Sequence, residues 1–154
     1  MTDALSPTER SENMRRIRAV DTKPEMAVRR LVHGMGFKYR LHVSGLPGKP
    51  DLVFPRLSKI IEVRGCFWHQ HPWCIDAHIP QTRREYWEPK LNRNIERDRL
   101  NLRQLRKLGY RVLIVWECEV KKPGRLASKL KRFLAGTPAE SRTEKQGAIE
   151  ANLR

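Results

Sequence analysis

Apolar residues recur along this chain with two different periods, and the change of period divides it into elements. Between residues 37 and 63 they fall in short runs, 37–43, 51–54 and 59–63, separated by Gly45-Leu46-Pro47-Gly48 and Pro55-Arg56-Leu57-Ser58. Short runs bounded by turn residues predict strands. Further on, Leu91, Ile95, Leu102 and Leu105 return at helical spacing. They predict a long helix that opens at the capping box Thr82-Arg83-Arg84-Glu85 and ends near Leu108, before Gly109. Pro89 lies inside it and should kink the helix or divide it at Glu88. Residues 110–116 are nearly all apolar, as for a buried central strand. Strand, helix and strand form a βαβ unit, so 59–63 and 110–116 should pair in parallel through a right-handed crossover.

Two capping signatures stand nearer the N-terminus. Ser6-Pro7-Thr8-Glu9 should open a helix running to about Ala19, rich in arginine and anchored by Met14 and Ile17. It is either a solvated basic helix or an arm lying on phosphates. Thr22-Lys23-Pro24-Glu25 opens a second helix with Met26, Leu31 and Val32 as its apolar face, stopped by Gly34 and Gly36. Glu25 would then serve as a cap or as a catalytic group. Residues 125–134 make a short basic helix, and the polar tail 137–154 reads as disordered. The class is α/β: one domain over residues 1–136, with a central mixed sheet flanked by helices.

Charge narrows the function. The 154 residues carry 32 Lys and Arg against 17 acidic residues, a net charge of +15, with a pI near 10.5. That excess calls for a polyanionic partner, nucleic acid before an anionic membrane. No apolar run approaches the ~20 residues that span a bilayer. The first residues lack the basic-then-apolar layout of an export signal, which places the protein in the cytoplasm, associated with the nucleoid. An odd number of cysteines (Cys66, Cys74 and Cys118) argues against a disulfide framework.

The chemistry concentrates between residues 50 and 74. On a strand, residues two apart share a face, so Glu62 and Arg64 project together while Asp51 converges from the neighbouring strand. Two carboxylates and a backbone carbonyl suit a magnesium ion that keeps several waters, and such an ion assists phosphodiester hydrolysis. The plainer reading is a surface ion pair. Cys66, His71 and Cys74 follow a C-x4-H-x2-C spacing. If strands 59–63 and 110–116 are adjacent, Cys118 completes a Cys3His tetrahedron, the closed ligand set of a structural zinc. His69 is then spare, either buried or placed to exchange a proton near the magnesium. Phe67, Trp68 and Trp87 are core residues or wedges between bases, and wedging costs least at a mispaired step.

Several of these segments together resemble one family. Leu46-Pro47-Gly48-Lys49-Pro50-Asp51, Gly65-Cys66-Phe67-Trp68-His69, Pro80-Gln81-Thr82-Arg83-Arg84-Glu85-Tyr86-Trp87, Asn94-Ile95-Glu96-Arg97-Asp98 and Val112-Leu113-Ile114-Val115-Trp116-Glu117-Cys118 occur in that order. From about Arg10 to Cys118 the chain resembles the very-short-patch repair (Vsr) endonucleases. The resemblance implies the PD-(D/E)xK nuclease fold and a magnesium-dependent nickase acting beside a T:G mismatch left by deamination of 5-methylcytosine. It implies Asp51 and the Val63 carbonyl as magnesium ligands, assisted by His69 and Glu25, and zinc at Cys66, His71, Cys74 and Cys118. Intercalation by Phe67, Trp68 and Trp87 is also implied. So are mismatched double-stranded DNA, a MutL-type repair protein and a repair polymerase as partners of a monomeric enzyme. Best-known members carry Thr-His at Val63-Arg64 and an apolar residue at Glu62. Here Glu62-Val63-Arg64 resembles the ExK element of the wider superfamily, with Glu62 as an added metal ligand and Arg64 stabilising charge. The competing expectations are a restriction-like or structure-selective nuclease of the same fold, and a zinc-stabilised DNA-binding module without catalysis.

Overall fold

The computed structural model describes Ser6 and residues 21–136. The basic helix expected over 6–19 and the tail 137–154 lie outside the described residues. Helix α1 spans Lys23–Gly34, with Thr22 as N-cap accepting the Glu25 N–H and Pro24 in the first turn. Strand β1 covers Arg40–Leu41, β2 Leu52–Phe54 and β3 Lys59–Arg64. Helix α2, Arg84–Lys107, then leads to β4, Arg111–Trp116, and helix α3, Pro123–Ala135, closes the described chain. Among the described residues no helix is long and apolar enough to cross a membrane.

The strands form one sheet in the order β1-β2-β3-β4. The first three are antiparallel, and β3 and β4 run parallel with Val63 opposite Val115. The period of two sorts the core. Leu52, Phe54, Ile61 and Val115 meet Val28 and Val32 of α1 and Leu126, Leu130 and Leu134 of α3 on one face. Val53 and Ile60 meet Leu105 of α2 on the other. Because helices cover both faces, β2 is buried at every position.

Four local expectations are corrected. The strand expected over 37–43 is only two residues long, because His42 takes a left-handed conformation (φ 45°) and turns the chain out of the ladder. Helix α2 begins after Arg83, itself left-handed (φ 63°), with no side-chain cap. The capping box at Thr82 therefore does not form. Pro89 does not divide α2, which is continuous from Arg84 to Lys107; the hydrogen bond that it removes would reach Glu85, whose exposure leaves that carbonyl to water. Finally, β4 is an edge of the described sheet and only Val115 in it is fully buried, so it is not a buried central strand. An apolar run marks a strand; its place in the sheet is set by pairing.

Candidate active site and metal centre

The antiparallel register that pairs Leu52 with Ile61 sets Asp51 beside the Glu62–Arg64 end of β3. Asp51 Oδ2 accepts the Val63 N–H at 2.8 Å, continuing the ladder through a side chain. A cleft of about 290 Å³ opens here, lined by His42, Gly48, Lys49, Pro50, Asp51, Glu62, Val63, Arg64, His69, Asp98 and Asn101. Burial pushes the Asp51 carboxyl up to about 7; the Val63 N–H opposes this, and neighbouring Glu25 and Glu62 add to it. A buried carboxyl among carboxylates needs a proton or a cation.

Glu62 and Arg64 project together, as their spacing requires, with 2.8 Å between Oε2 and the guanidinium. Both side chains are largely screened from solvent and line the cleft, so this pair is not a surface ion pair. Glu25 is buried, only 2% exposed. It accepts the Asp21 N–H at 3.2 Å and lies 2.9 Å from His42 Nε2. It also stands against Asp51, yet it does not line the cleft. Thr22 caps the helix, but the Glu25 side chain turns to Asp21, His42 and Asp51, so the reciprocal half of the expected capping box does not form.

His69 does line the cleft, with Nδ1 2.6 Å from Asp98 Oδ2. That bond fixes the ring and leaves Nε2 as the nitrogen able to exchange a proton. The sequence pattern gives no role to Asp98, Asn101 or His42, which also line the cleft. A signal for two of them exists on α2. Asn94, Asp98 and Asn101 follow each other at spacings of four and three, so they share one face of the helix. All three are partly buried polar residues beside the apolar stripe. Asn94 donates to the Trp68 carbonyl at 3.1 Å, and Asn101 packs so close to Gly48 that a Cβ there would lie 2.7 Å from its amide. His42 left no such periodic trace.

The second cluster lies just past the C-terminal ends of β3 and β4. Left-handed turns at Gln70 and Trp73 fold the loop back, and the His71 N–H bonds the Cys66 carbonyl at 2.9 Å. The ligand atoms of Cys66, His71, Cys74 and Cys118 all lie within 4.8 Å of one another. His71 Nδ1 is 3.7 Å from Cys66 Sγ and 3.5 Å from Cys118 Sγ. Bond lengths of about 2.3 Å to sulfur and about 2.0 Å to nitrogen put the corners of a tetrahedral zinc site about 3.5–3.8 Å apart. The donor set fits zinc. Burial pushes the Cys66 thiol up to about 12 and raises that of Cys118, a tendency that a bound cation would reverse. His71 stacks on Trp116, the last residue of β4, at 4.2 Å.

Between the clusters, Phe67, Trp68 and Trp87 pack edge to face with centroids 5.1–5.9 Å apart. Lys90 Nζ lies 5.5 Å from the Trp68 ring centre. All three rings are partly exposed, and Trp73 on the same loop is fully so.

Comparison with known proteins agrees across most of the chain. Residues 2–75 match the family described as DNA mismatch endonuclease Vsr. The type II nicking enzyme V.XorIIP of Xanthomonas oryzae pv. oryzae is 43% identical over 87% of this chain and 98% of its own. The DNA mismatch endonuclease Vsr of Escherichia coli K12 is 38% identical over 96% of this chain and 97% of its own. Among solved structures, the catalytic domain of the homing endonuclease I-Bth0305I superposes with a TM-score of 0.50. It covers 73% of this chain and 94% of that one at 21% identity, a likeness of fold.

Proposed function

Because the chain belongs to the Vsr family of DNA mismatch endonucleases, we propose that the Asp51 cleft nicks one strand of duplex DNA beside a T:G mismatch arising from deamination of 5-methylcytosine. The observation that carries this reading is the convergence of Asp51, Glu62, Arg64 and the His69–Asp98 pair on one cleft. Relatives named as nicking enzymes and as a mismatch endonuclease support single-strand cleavage as the reaction.

Asp51, Glu62 and the Val63 carbonyl would hold magnesium, and the donor chemistry fits: two carboxylates line the cleft, and burial beside other carboxylates leaves Asp51 in need of a countercharge when ionised. A magnesium ion there would polarise the scissile phosphate and offset charge on the leaving oxygen. The residues around it have separable tasks. His69 Nε2 exchanges the proton of the attacking water or leaving oxygen, with Asp98 holding its ring. Arg64 aims a fixed cation at the charge that develops on phosphate, and its ion pair with Glu62 limits its motion. Glu25 supports Asp51 from behind the cleft.

Cys66, His71, Cys74 and Cys118 would hold zinc in a structural role, since four protein ligands leave no open position. The site would clamp the loop bearing Phe67, Trp68 and His69 to the ends of β3 and β4. Phe67 and Trp68, with Trp87 from α2, enter the base stack, which favours a step already weakened by mispairing. Residues 1–136 act as one nuclease domain, with the basic N-terminal segment on phosphates. A MutL-type protein and a repair polymerase are the proposed partners in the cell, where the enzyme works as a monomer on the nucleoid.

Magnesium-dependent nicking of a T:G duplex, compared with its correctly paired control, tests this reading. Cleavage of the mismatched strand alone is expected. Equal cleavage of both duplexes would favour a restriction-like nuclease, and tight binding without cleavage would favour a DNA-binding module.

A further inference from the structure

His42 ends strand β1 in a left-handed conformation (φ 45°) and nevertheless keeps one ladder bond, donating its N–H to the Asp51 carbonyl at 3.1 Å. Its backbone is therefore tied to the residue that carries the central carboxylate. Its side chain goes elsewhere. Nε2 lies 2.9 Å from Glu25 Oε1, while Glu25 Oε2 accepts the Asp21 N–H at 3.2 Å and faces Arg29 at 3.5 Å. His42 lines the cleft and Glu25 does not, so His42 links a cleft residue to a carboxylate that is 2% exposed.

We propose that His42 is a positioning residue for strand cleavage: its ring N–H holds Glu25 against Asp51. Glu25 meets Asp51 side chain to side chain, and His42 is the further partner of its Oε1. The remaining bonds, to Asp21 and Arg29, hold only the other oxygen. Two neighbouring carboxylates repel when both are charged, so a donor fixed on one oxygen of Glu25 helps decide where that carboxylate rests. The role acts through Glu25, and it rests on the assignment of Asp51 to the reaction.

Two substitutions separate positioning from a backbone role. Asn adopts the left-handed conformation as readily as any residue except Gly, but its amide nitrogen stands one bond closer to the backbone than Nε2. Gln places its amide nitrogen the same number of bonds from Cβ as Nε2 does. The measurement is single-turnover nicking of a T:G duplex with enzyme in excess, alongside metal-free DNA affinity and the thermal midpoint. His42→Asn should slow nicking roughly tenfold to a hundredfold, the usual range for loss of a supporting hydrogen bond. Its DNA affinity should be nearly unchanged, and its midpoint should fall by no more than the loss of one buried hydrogen bond accounts for. His42→Gln should recover most of the rate. In a Glu25→Gln background, His42→Asn should add almost nothing, because the two act as one unit.

Wild-type nicking by His42→Asn, or full additivity with Glu25→Gln, would overturn the inference. A rate loss in both His42 variants that tracks a lowered midpoint would overturn it too, since that is a folding effect. Asp51→Asn distinguishes the deeper failure. If it nicks normally, the cleft assignment itself is wrong; if it is inactive while His42→Asn is unimpaired, only the role of His42 falls.

Discussion

Replacing Asp51 by Asn should abolish nicking and at the same time make the magnesium-free protein more stable at neutral and alkaline pH. Burial raises the folded-state pKa of Asp51 from an ordinary 3.8 to about 7, with the Val63 N–H opposing and Glu25 and Glu62 adding. Between those values the folded protein retains a proton that the unfolded chain has released. Stability therefore falls as pH rises through this window. At about 1.4 kcal/mol for each pH unit, the full loss comes to about 4 kcal/mol. Asn does not ionise, and its carbonyl oxygen can still accept the Val63 N–H, so the variant should lack this slope. Urea unfolding of both proteins from about pH 4 to about pH 8, in magnesium-free buffer with zinc retained, measures the difference. The curves should nearly meet at the acid end and separate steadily, with Asp51→Asn the more stable above neutrality. Magnesium should narrow the gap by stabilising the native wild type. Parallel curves, or an Asn variant less stable at high pH, would refute the argument that the cleft holds a strained carboxyl in wait for a cation.

Cys118→Ala should lose zinc and destabilise the fold by about 4 kcal/mol or more, the class of effect seen when a metal site is lost; metal analysis and thermal unfolding report both. Zinc retained at one equivalent in that variant would remove Cys118 from the ligand set. Asp98→Asn should leave DNA affinity intact but slow nicking roughly tenfold to a hundredfold, because His69 loses the partner that fixes its ring. An unaltered single-turnover rate would show that the ring needs no such support. Glu62→Gln and Arg64→Ala should each slow the chemical step without changing metal-free binding. Normal cleavage by Glu62→Gln, together with faster cleavage by Arg64→His, would show that the pair has no role of the ExK kind.

The helices and strands were legible wherever the signal is local. Short runs bounded by turn residues at 51–54 and 59–63, the Thr22 cap and the helical recurrence of Leu91 to Leu105 each encode their own element. Parallel pairing of β3 with β4 followed from the intervening helix, and with it the approach of Cys118 to Cys66, because both cysteines stand two residues beyond paired strand ends. What the chain alone could not determine depends on contacts between elements. The brevity of β1 and the place of His42 arise from one left-handed residue whose ring finds Glu25 on a different element. The partnership of His69 with Asp98 joins a loop to a helix 29 residues away. The edge position of β4 among the described strands is a matter of pairing, which an apolar run does not specify. Local periodicity sets which face of an element is apolar. Which polar groups meet across those faces is decided only when the faces pack, because hydrogen-bond partners distant in sequence leave no repeating mark on it.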